Sequence, residues 1–153
     1  MKVKIEIDEN LQEEEVIIRC RSLNESIVNL QNYISEQRDG KQCIPLYHGG
    51  TEYYVPIQEI YFFETEGKEL HAHTKDQLFN TTYKLYELEG MLPGCFMRIS
   101  KSTIVNLDYI YSITRNLTAS SVVEFMHSSK KALVSRAYYK ALIESIEVRR
   151  MHR

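Results

Sequence analysis

Short strand-prone runs separated by turn signals fill the chain from Ile44 to Val134, and this pattern restricts the fold to a β-rich one. Two of these runs flank His48-Gly49-Gly50-Thr51, which predicts a β-hairpin. Further strands are predicted at residues 59–64, 69–74, 78–81, 96–99, 103–107, 108–113, 122–126 and 131–134. The sequence therefore predicts a mostly β, antiparallel domain over residues 41–153.

Helical spacing occurs in only two short segments of this domain. The first runs from Tyr83 to Met91 and stops at Pro93-Gly94. The second runs from Arg136 to about Val148, with Ser135 as its predicted N-cap.

Residues 1–40 form a separate segment with its own pattern. Alternation predicts strands at Lys2–Asp8 and Glu13–Arg21, and helical spacing predicts a helix over 22–37 that stops at Asp39-Gly40. Ser22, followed three residues later by Glu25, fits a capping box. This small ββα extension is too short for a core of its own, so we expect it to pack on the main domain or on another subunit.

Composition excludes several classes of protein. No apolar run approaches the roughly 20 residues that span a bilayer, and the first residues lack a signal-peptide core, so we expect a cytoplasmic protein. The three cysteines, Cys20, Cys43 and Cys95, lie in no metal or disulfide spacing. His71 and His73 share a strand face without a third ligand, so we expect neither a metal nor another cofactor. No catalytic constellation is evident, so we expect no enzyme and no small-molecule substrate.

Charge is segregated along the chain. Residues 1–40 hold nine acidic and five basic side chains and residues 41–90 hold eight and four, whereas residues 91–153 hold four acidic and ten basic ones. The net charges are −4, −4 and +6, which sum to the −2 of the whole chain. A basic last third is compatible with one anion-binding face, although the overall charge alone argues against nucleic acid.

In the segment from Phe96 to Leu107, three consecutive polar residues, Ser100-Lys101-Ser102, lie between two apolar runs. Their side chains offer several hydrogen-bond donors. Around these residues the chain reads KLYELEGMLPGCFMRISKSTIVNLDYIYSI and, further on, ALVSRAYYKALIESI. This pattern resembles the LytTR family of bacterial DNA-binding domains over roughly Pro45 to Ile146. The matching motifs are a leucine-rich helix, a Phe-x-Arg-x-polar-basic-Ser run, Ile/Val-Val-Asn and a closing Val-Ser-Arg before a helix.

The resemblance implies an all-β, multi-sheet fold that reads duplex DNA through loops between strands. The positions that match the family's base-reading loops are Lys68, Lys101 with its neighbour Ser100, and Arg136. Long cationic side chains suit guanine acceptors in the major groove. Phosphate contacts are expected from a further group of polar residues, namely Arg98, Ser102, Asn106, Arg115, and Tyr139 or Lys140. Many family members have His-Arg-Ser where this chain has Ser-Lys-Ser, so the target bases stay open.

The resemblance also suggests a transcription regulator that binds repeated sites as a homodimer. Forty residues do not accommodate the receiver domain that commonly precedes this DNA-binding domain, so we expect a stand-alone regulator without aspartyl phosphorylation. The extension, or a membrane-protein or other protein partner, is expected to supply dimerisation and control. Two alternatives stay open at this point. The protein could be a protein-interaction module whose basic loops bind an acidic partner. Ordinary structural roles are also open for Lys68, Asn106 and Arg136, and Arg136 could pair with Glu66.

Overall fold

Antiparallel strands joined by tight turns make up most of the chain after Gln42. A computed structural model describes residues 2–39 and 42–151. The strands are β1 (Cys43–His48), β2 (Thr51–Pro56), β3 (Phe62–Glu66), β4 (Glu69–His73), β5 (Leu78–Thr81), β6 (Phe96–Arg98), β7 (Thr103–Asn106), β8 (Ile110–Thr114), β9 (Ser121–Phe125) and β10 (Lys131–Val134). The helices are α1 (Glu25–Asp39), α2 (Leu85–Met91) and α3 (Arg136–Met151). The predicted mostly β, antiparallel fold class is confirmed.

The chain divides into two units, Met1–Arg38 and Asp39–Arg153. The second unit contains a seven-stranded sheet in the order β2-β1-β5-β4-β3-β7-β6 and a three-stranded sheet in the order β10-β9-β8. The β1–β2 turn forms as its sequence predicts, because Gly49 and Gly50 both adopt positive φ, at 56° and 79°. None of the described helices has the length and apolarity needed to cross a membrane.

The seven-stranded sheet has a separate apolar core on each side. One core contains Phe63 and Ile104 from the sheet and Leu88 from α2, each at most 1% exposed. The other contains Phe62, whose ring stacks on Phe125 of β9 with 4.8 Å between the ring centroids, and Leu142 of α3. The second core therefore joins the three-stranded sheet and α3 to the face of β3 opposite Phe63.

Two predicted strands begin later than their sequence pattern indicated. Glu59–Glu64 was the predicted range of β3, but residues 57–59 form a 3-10 turn closed by the bond from the Ile60 N–H to the Ile57 carbonyl, 3.0 Å long. A second 3-10 turn over 107–109 delays β8 in the same way, because the Asn106 side chain accepts the Asp108 N–H at 3.0 Å. A local main-chain bond before β3 and a side-chain cap before β8 thus displaced the two strand starts.

The first unit differs from its prediction. Residues 2–24 form no strand within the described chain, so the two strands predicted at Lys2–Asp8 and Glu13–Arg21 are absent from the single molecule. An alternating pattern needs a hydrogen-bonded neighbour before it becomes a strand, and none of the described residues provides one. Helix α1 begins at Glu25, because Asn24 rather than Ser22 caps it and accepts the Ile27 N–H at 3.0 Å. Gly40, part of the predicted stop, lies outside the described residues.

His73 gives the second unit a pH-dependent stability. Its ring stacks on Phe62 at 4.1 Å, and both ring nitrogens are buried without a hydrogen-bond partner among the described residues. Burial, followed by the charges of Lys130 and His71, lowers the pKa of His73 from 6.5 to about 4. The unfolded chain therefore binds a proton at His73 before the folded chain does, and stability falls as pH drops from 6.5 towards 4.

We expect the stability difference between wild type and His73→Gln to shift by about 1–2 kcal/mol between about pH 7.5 and about pH 5, after allowing for the partial exposure of the ring. The shift arises because, in the acidic range, unfolded wild type binds a proton at His73 while folded wild type keeps the imidazole neutral. A glutamine at this position does not titrate in either state. Urea denaturation of both proteins at the two pH values measures it. A difference that is the same at both pH values would contradict the assignment.

Candidate nucleic-acid interface

Backbone hydrogen bonds bring the three predicted DNA-reading loops together around Ser100–Ser102. The Thr65 N–H, at the end of β3, donates to the Ser102 carbonyl at 2.8 Å. The Ser135 N–H, immediately before α3, donates to the Ile99 carbonyl at 3.0 Å. The β3–β4 turn, the β6–β7 loop and the start of α3 are therefore held in one region of the surface.

The β6–β7 loop is held by a buried residue at its start and by hydrogen bonds to its own hydroxyl groups. Ile99 is 0% exposed, and its N–H donates to the Thr103 carbonyl at 3.0 Å across the loop. The Ser102 N–H donates to the Ser100 hydroxyl oxygen at 3.2 Å, and the two hydroxyl oxygens lie 3.3 Å apart. The side chains of Lys101 and Ser102 remain exposed. The loop is thus ordered locally while its polar tips face outward.

Arg98 lies beneath this loop rather than on its outer surface. Its Nε donates to the Ser100 carbonyl at 2.9 Å and a second guanidinium nitrogen donates to the Lys101 carbonyl at 2.5 Å. The third pairs with the Glu89 carboxylate at 2.8 Å. Only 22% of the Arg98 side chain is exposed. These bonds use three of the five N–H donors of the guanidinium, one on each nitrogen, so most of its hydrogen-bonding capacity holds the loop.

The first turns of α3 present a second cationic group. Arg136 and Lys140 are exposed and four residues apart, so they lie on the same face of the helix. Tyr139 is half-buried, and the guanidinium carbon of Arg115 lies 5.0 Å from the centre of its ring. This cation–π contact brings the long β8–β9 loop to the start of α3, so four of the predicted contact residues lie in or next to the N-terminal turns of α3.

Lys68 occupies the exposed tip of the β3–β4 turn, next to Gly67 with its positive φ of 63°. Carboxylates flank this turn: Glu66 and Glu69 lie 3.4 Å and 3.1 Å from the ring nitrogens of His71, which is 9% exposed. Burial first, and then the charge of Glu66, raises the pKa of the neighbouring Glu64, while His71 opposes the rise. The cationic surface is therefore narrow on this side, because acidic groups border it.

Asn106 does not reach the surface. It is 2% exposed, its amide nitrogen donates to the Ile60 carbonyl at 3.1 Å, and its oxygen accepts the Asp108 N–H at 3.0 Å. The amide nitrogen and the amide oxygen both form hydrogen bonds to the backbone of the protein. Asn106 therefore has the structural role that the sequence had left open as an alternative to a phosphate contact. We therefore withdraw Asn106 from the expected phosphate contacts.

Sequence reasoning missed the groups that hold the site together. The ion pair between Glu89 and Arg98 joins positions nine residues apart, with a helix end and a strand start between them. The bonds from Thr65 and Ser135 use backbone atoms, which carry no residue-specific signal. Among the described residues, no group of three or more His, Cys, Asp or Glu side chains is placed to hold a metal ion. What the site offers is hydroxyl, ammonium and guanidinium donors, a set that matches phosphate oxygens and base-edge acceptors.

Comparisons with known proteins identify relatives of this chain. Over almost its full length the chain is similar to proteins named uncharacterized HTH-type transcriptional regulators in Staphylococcus aureus. The relative from strain COL is 27% identical over 149 residues, covering 97% of this chain and 99% of the relative. The relative from strain MRSA252 is 26% identical over 149 residues with the same coverage.

A solved structure shares the fold. It is the LytTr DNA-binding domain of a Bacillus cereus protein described as a methyl-accepting/DNA response regulator, which matches with a TM-score of 0.61 and 23% identity over 68% of this chain and 98% of that domain. The sequence pattern of the LytTr DNA-binding domain family matches residues 51–147, which include every strand from β2 to β10. The chain therefore belongs to the LytTr DNA-binding domain family.

Proposed function

We propose that this protein is a transcription regulator that binds duplex DNA sequence-specifically, as a homodimer, through loops between its strands. The observation that carries the proposal is the joining of three cationic loops by the bonds from Thr65 to Ser102 and from Ser135 to Ile99. Family membership and the names of the S. aureus relatives support it. We propose no enzymatic activity, and with DNA as the partner we place the protein in the cytoplasm.

The order of the elements supports a mode of contact through loops. In the described second unit, α2 and α3 are separated by five strands, so no two consecutive helices form a helix-turn-helix pair there. Helix α2 has seven residues and lies against the sheet through Leu88. We therefore propose that loops rather than a recognition helix enter the major groove.

We assign base contacts to Ser100, Lys101, Lys68 and Arg136, whose side chains project from the three joined loops. Arg136 is the only arginine of this group, and its planar fork suits the two acceptors of guanine. Phosphate contacts are assigned to the exposed or half-exposed residues on either side, namely Ser102, Arg115, Tyr139 and Lys140. Arg98 supports the loop instead of touching DNA.

A salt titration of DNA binding tests the proposal. Purified protein is titrated with its own upstream promoter DNA, and a scrambled duplex of equal length serves as competitor. We expect log affinity to fall linearly with log salt, with a slope near −0.9 for each phosphate neutralised, and the promoter to be preferred at every salt concentration. Absence of binding even at low salt would overturn the proposal.

A protein-interaction module is the second candidate, and the net charge of −2 with an acidic first ninety residues favours it. In that case the same loops bind an acidic protein. It predicts that the protein ignores both duplexes at low salt, so the titration separates the two functions. For either function, control by a protein partner without aspartyl phosphorylation is our proposal.

A further inference from the structure

In the first unit, none of the residues whose burial the structure describes is buried. Every residue from 2 to 35 is exposed or only partly buried in the described chain. Eight of its large apolar side chains are between 49% and 90% exposed, namely Val3, Ile5, Ile7, Leu11, Val16, Ile17, Leu23 and Tyr33. Apolar surface of this extent in a soluble chain marks a site of association.

The segment Lys2–Asp8 has two chemically different faces. Val3, Ile5 and Ile7, which are 84%, 85% and 90% exposed, alternate with charged residues. The Lys4 ammonium donates to the Glu6 carboxylate, which places these two charges on the same side of the segment. This is the period-two pattern of a strand that is apolar on one side, yet it has no strand neighbour among the described residues.

The charges of this segment are arranged so that it complements itself. In an antiparallel pair centred on Ile5, Lys2 lies opposite Asp8 of the other strand and Lys4 lies opposite its Glu6. Val3 then lies opposite Ile7. In this arrangement every charged residue faces a residue of opposite charge, and every apolar residue faces an apolar one. Both kinds of cross-strand pair are stabilising.

Other registers lose this match. A shift of one residue places charged side chains beside apolar ones on the same face. A register centred on Lys4 or on Glu6 puts two identical charges opposite each other at the axis. A parallel in-register pair does so at every charged position. The sequence therefore favours one two-fold arrangement over its alternatives.

We propose that Lys2–Asp8 pairs with the same segment of a second copy of this chain, with the two-fold axis at Ile5. Six apolar side chains then line one face of the ribbon. A two-stranded ribbon is marginal alone and needs a helix to cover it. Helix α1 provides one, because Ile27, Leu30 and Ile34 repeat at spacings of three and four and are only partly buried. The inference rests on the homodimer in the proposed function and identifies its interface.

Complementation between two charge-reversed chains tests the register. We expect wild type to have the mass of a dimer by size-exclusion chromatography with light scattering, and Lys4→Glu and Glu6→Lys each to weaken dimerisation at least tenfold. Mixing the two variants, one of them tagged, is expected to restore a heterodimer, because every interchain pair is then of opposite sign. Within each variant chain positions 4 and 6 stay alike in charge, so restoration cannot come from the intrachain pair. Lys75→Glu, at an exposed turn of the second unit, is the matched control and should leave the mass unchanged.

Disulfide formation provides a second, independent measurement. In a background with Cys20→Ser and Cys43→Ser, Ile5→Cys is expected to cross-link with itself, because residues on the axis lie within disulfide distance. Val3→Cys alone should not cross-link, but a mixture of Val3→Cys and Ile7→Cys should.

A monomeric wild type, or dimers that are indifferent to all these changes, would overturn the inference. Every measurement is made without DNA, so such a result leaves the proposed DNA binding to be judged by the salt titration.

Discussion

Replacing Arg136 with alanine is expected to weaken binding to the specific duplex about 10- to 100-fold, which corresponds to about 1–3 kcal/mol. Arg136 is the first residue of α3 and is exposed, and the Ser135 N–H ties this position to the Ile99 carbonyl. Its guanidinium is therefore presented from a fixed backbone rather than from a mobile terminus. Loss of a bidentate guanine contact should also reduce the preference for promoter over scrambled DNA.

Arg150→Ala is the matched control for this prediction. It removes the same charge from an exposed position of the same helix, about 21 Å further along the helix axis. We expect it to change the salt dependence slightly and the preference between duplexes not at all. Fluorescence anisotropy with both duplexes at several salt concentrations measures affinity, slope and preference together. Equal losses for the two variants would mean that Arg136 contributes only charge.

Turn chemistry is the part of the fold that sequence predicts best. Gly49-Gly50 and Gly67 lie where strands end, because few other residues adopt their positive φ angles. Pro93-Gly94 follows the end of α2, since a proline cannot continue a helix. Between such signals, alternation was enough to identify the strands of the second unit. It was not enough to fix their first residues, since the 3-10 turns before β3 and β8 depend on single local hydrogen bonds.

Residues 2–24 show where alternation fails. The pattern in Lys2–Asp8 is as regular as that of any strand in the chain, yet it forms none in the single molecule. Period two reports that one side of a segment is apolar, but not which other strand will pair with it. That information lies in tertiary or quaternary structure, and here we infer that it lies in the second copy.

In the candidate site, too, some residues could be predicted from the sequence and others could not. The residues that project outward, such as Lys68, Lys101 and Arg136, belong to recognisable loop motifs, and the structure brings their loops together. The polar residues that hold the loops, Arg98 and Asn106, look the same in sequence as residues that touch a ligand. Only their burial and their partners distinguish the two roles, and neither is visible before the chain is folded.

Replacing Arg98 with alanine is expected to lower the free energy of unfolding by about 1.5–3 kcal/mol and to weaken specific DNA binding at least tenfold. The Ser100 and Lys101 carbonyls both lose a charged donor, and the Glu89 carboxylate loses its partner. The loop that presents Lys101 then becomes mobile without any change in its sequence. Hydrogen exchange should report this locally, as faster exchange of the Ser102 and Ser135 amides.

Two further variants separate support of the loop from contact with phosphate. Glu89 is 52% exposed, so Glu89→Gln should cost no more than about 1 kcal/mol of stability and leave the preference for promoter DNA intact. Arg98→Lys keeps the charge but lacks the fork that reaches two carbonyls and a carboxylate at once, so we expect it to lose preference almost as Arg98→Ala does. If Arg98 were instead a phosphate contact, lysine would preserve most of the affinity, and removing the neighbouring negative charge at Glu89 would tighten binding.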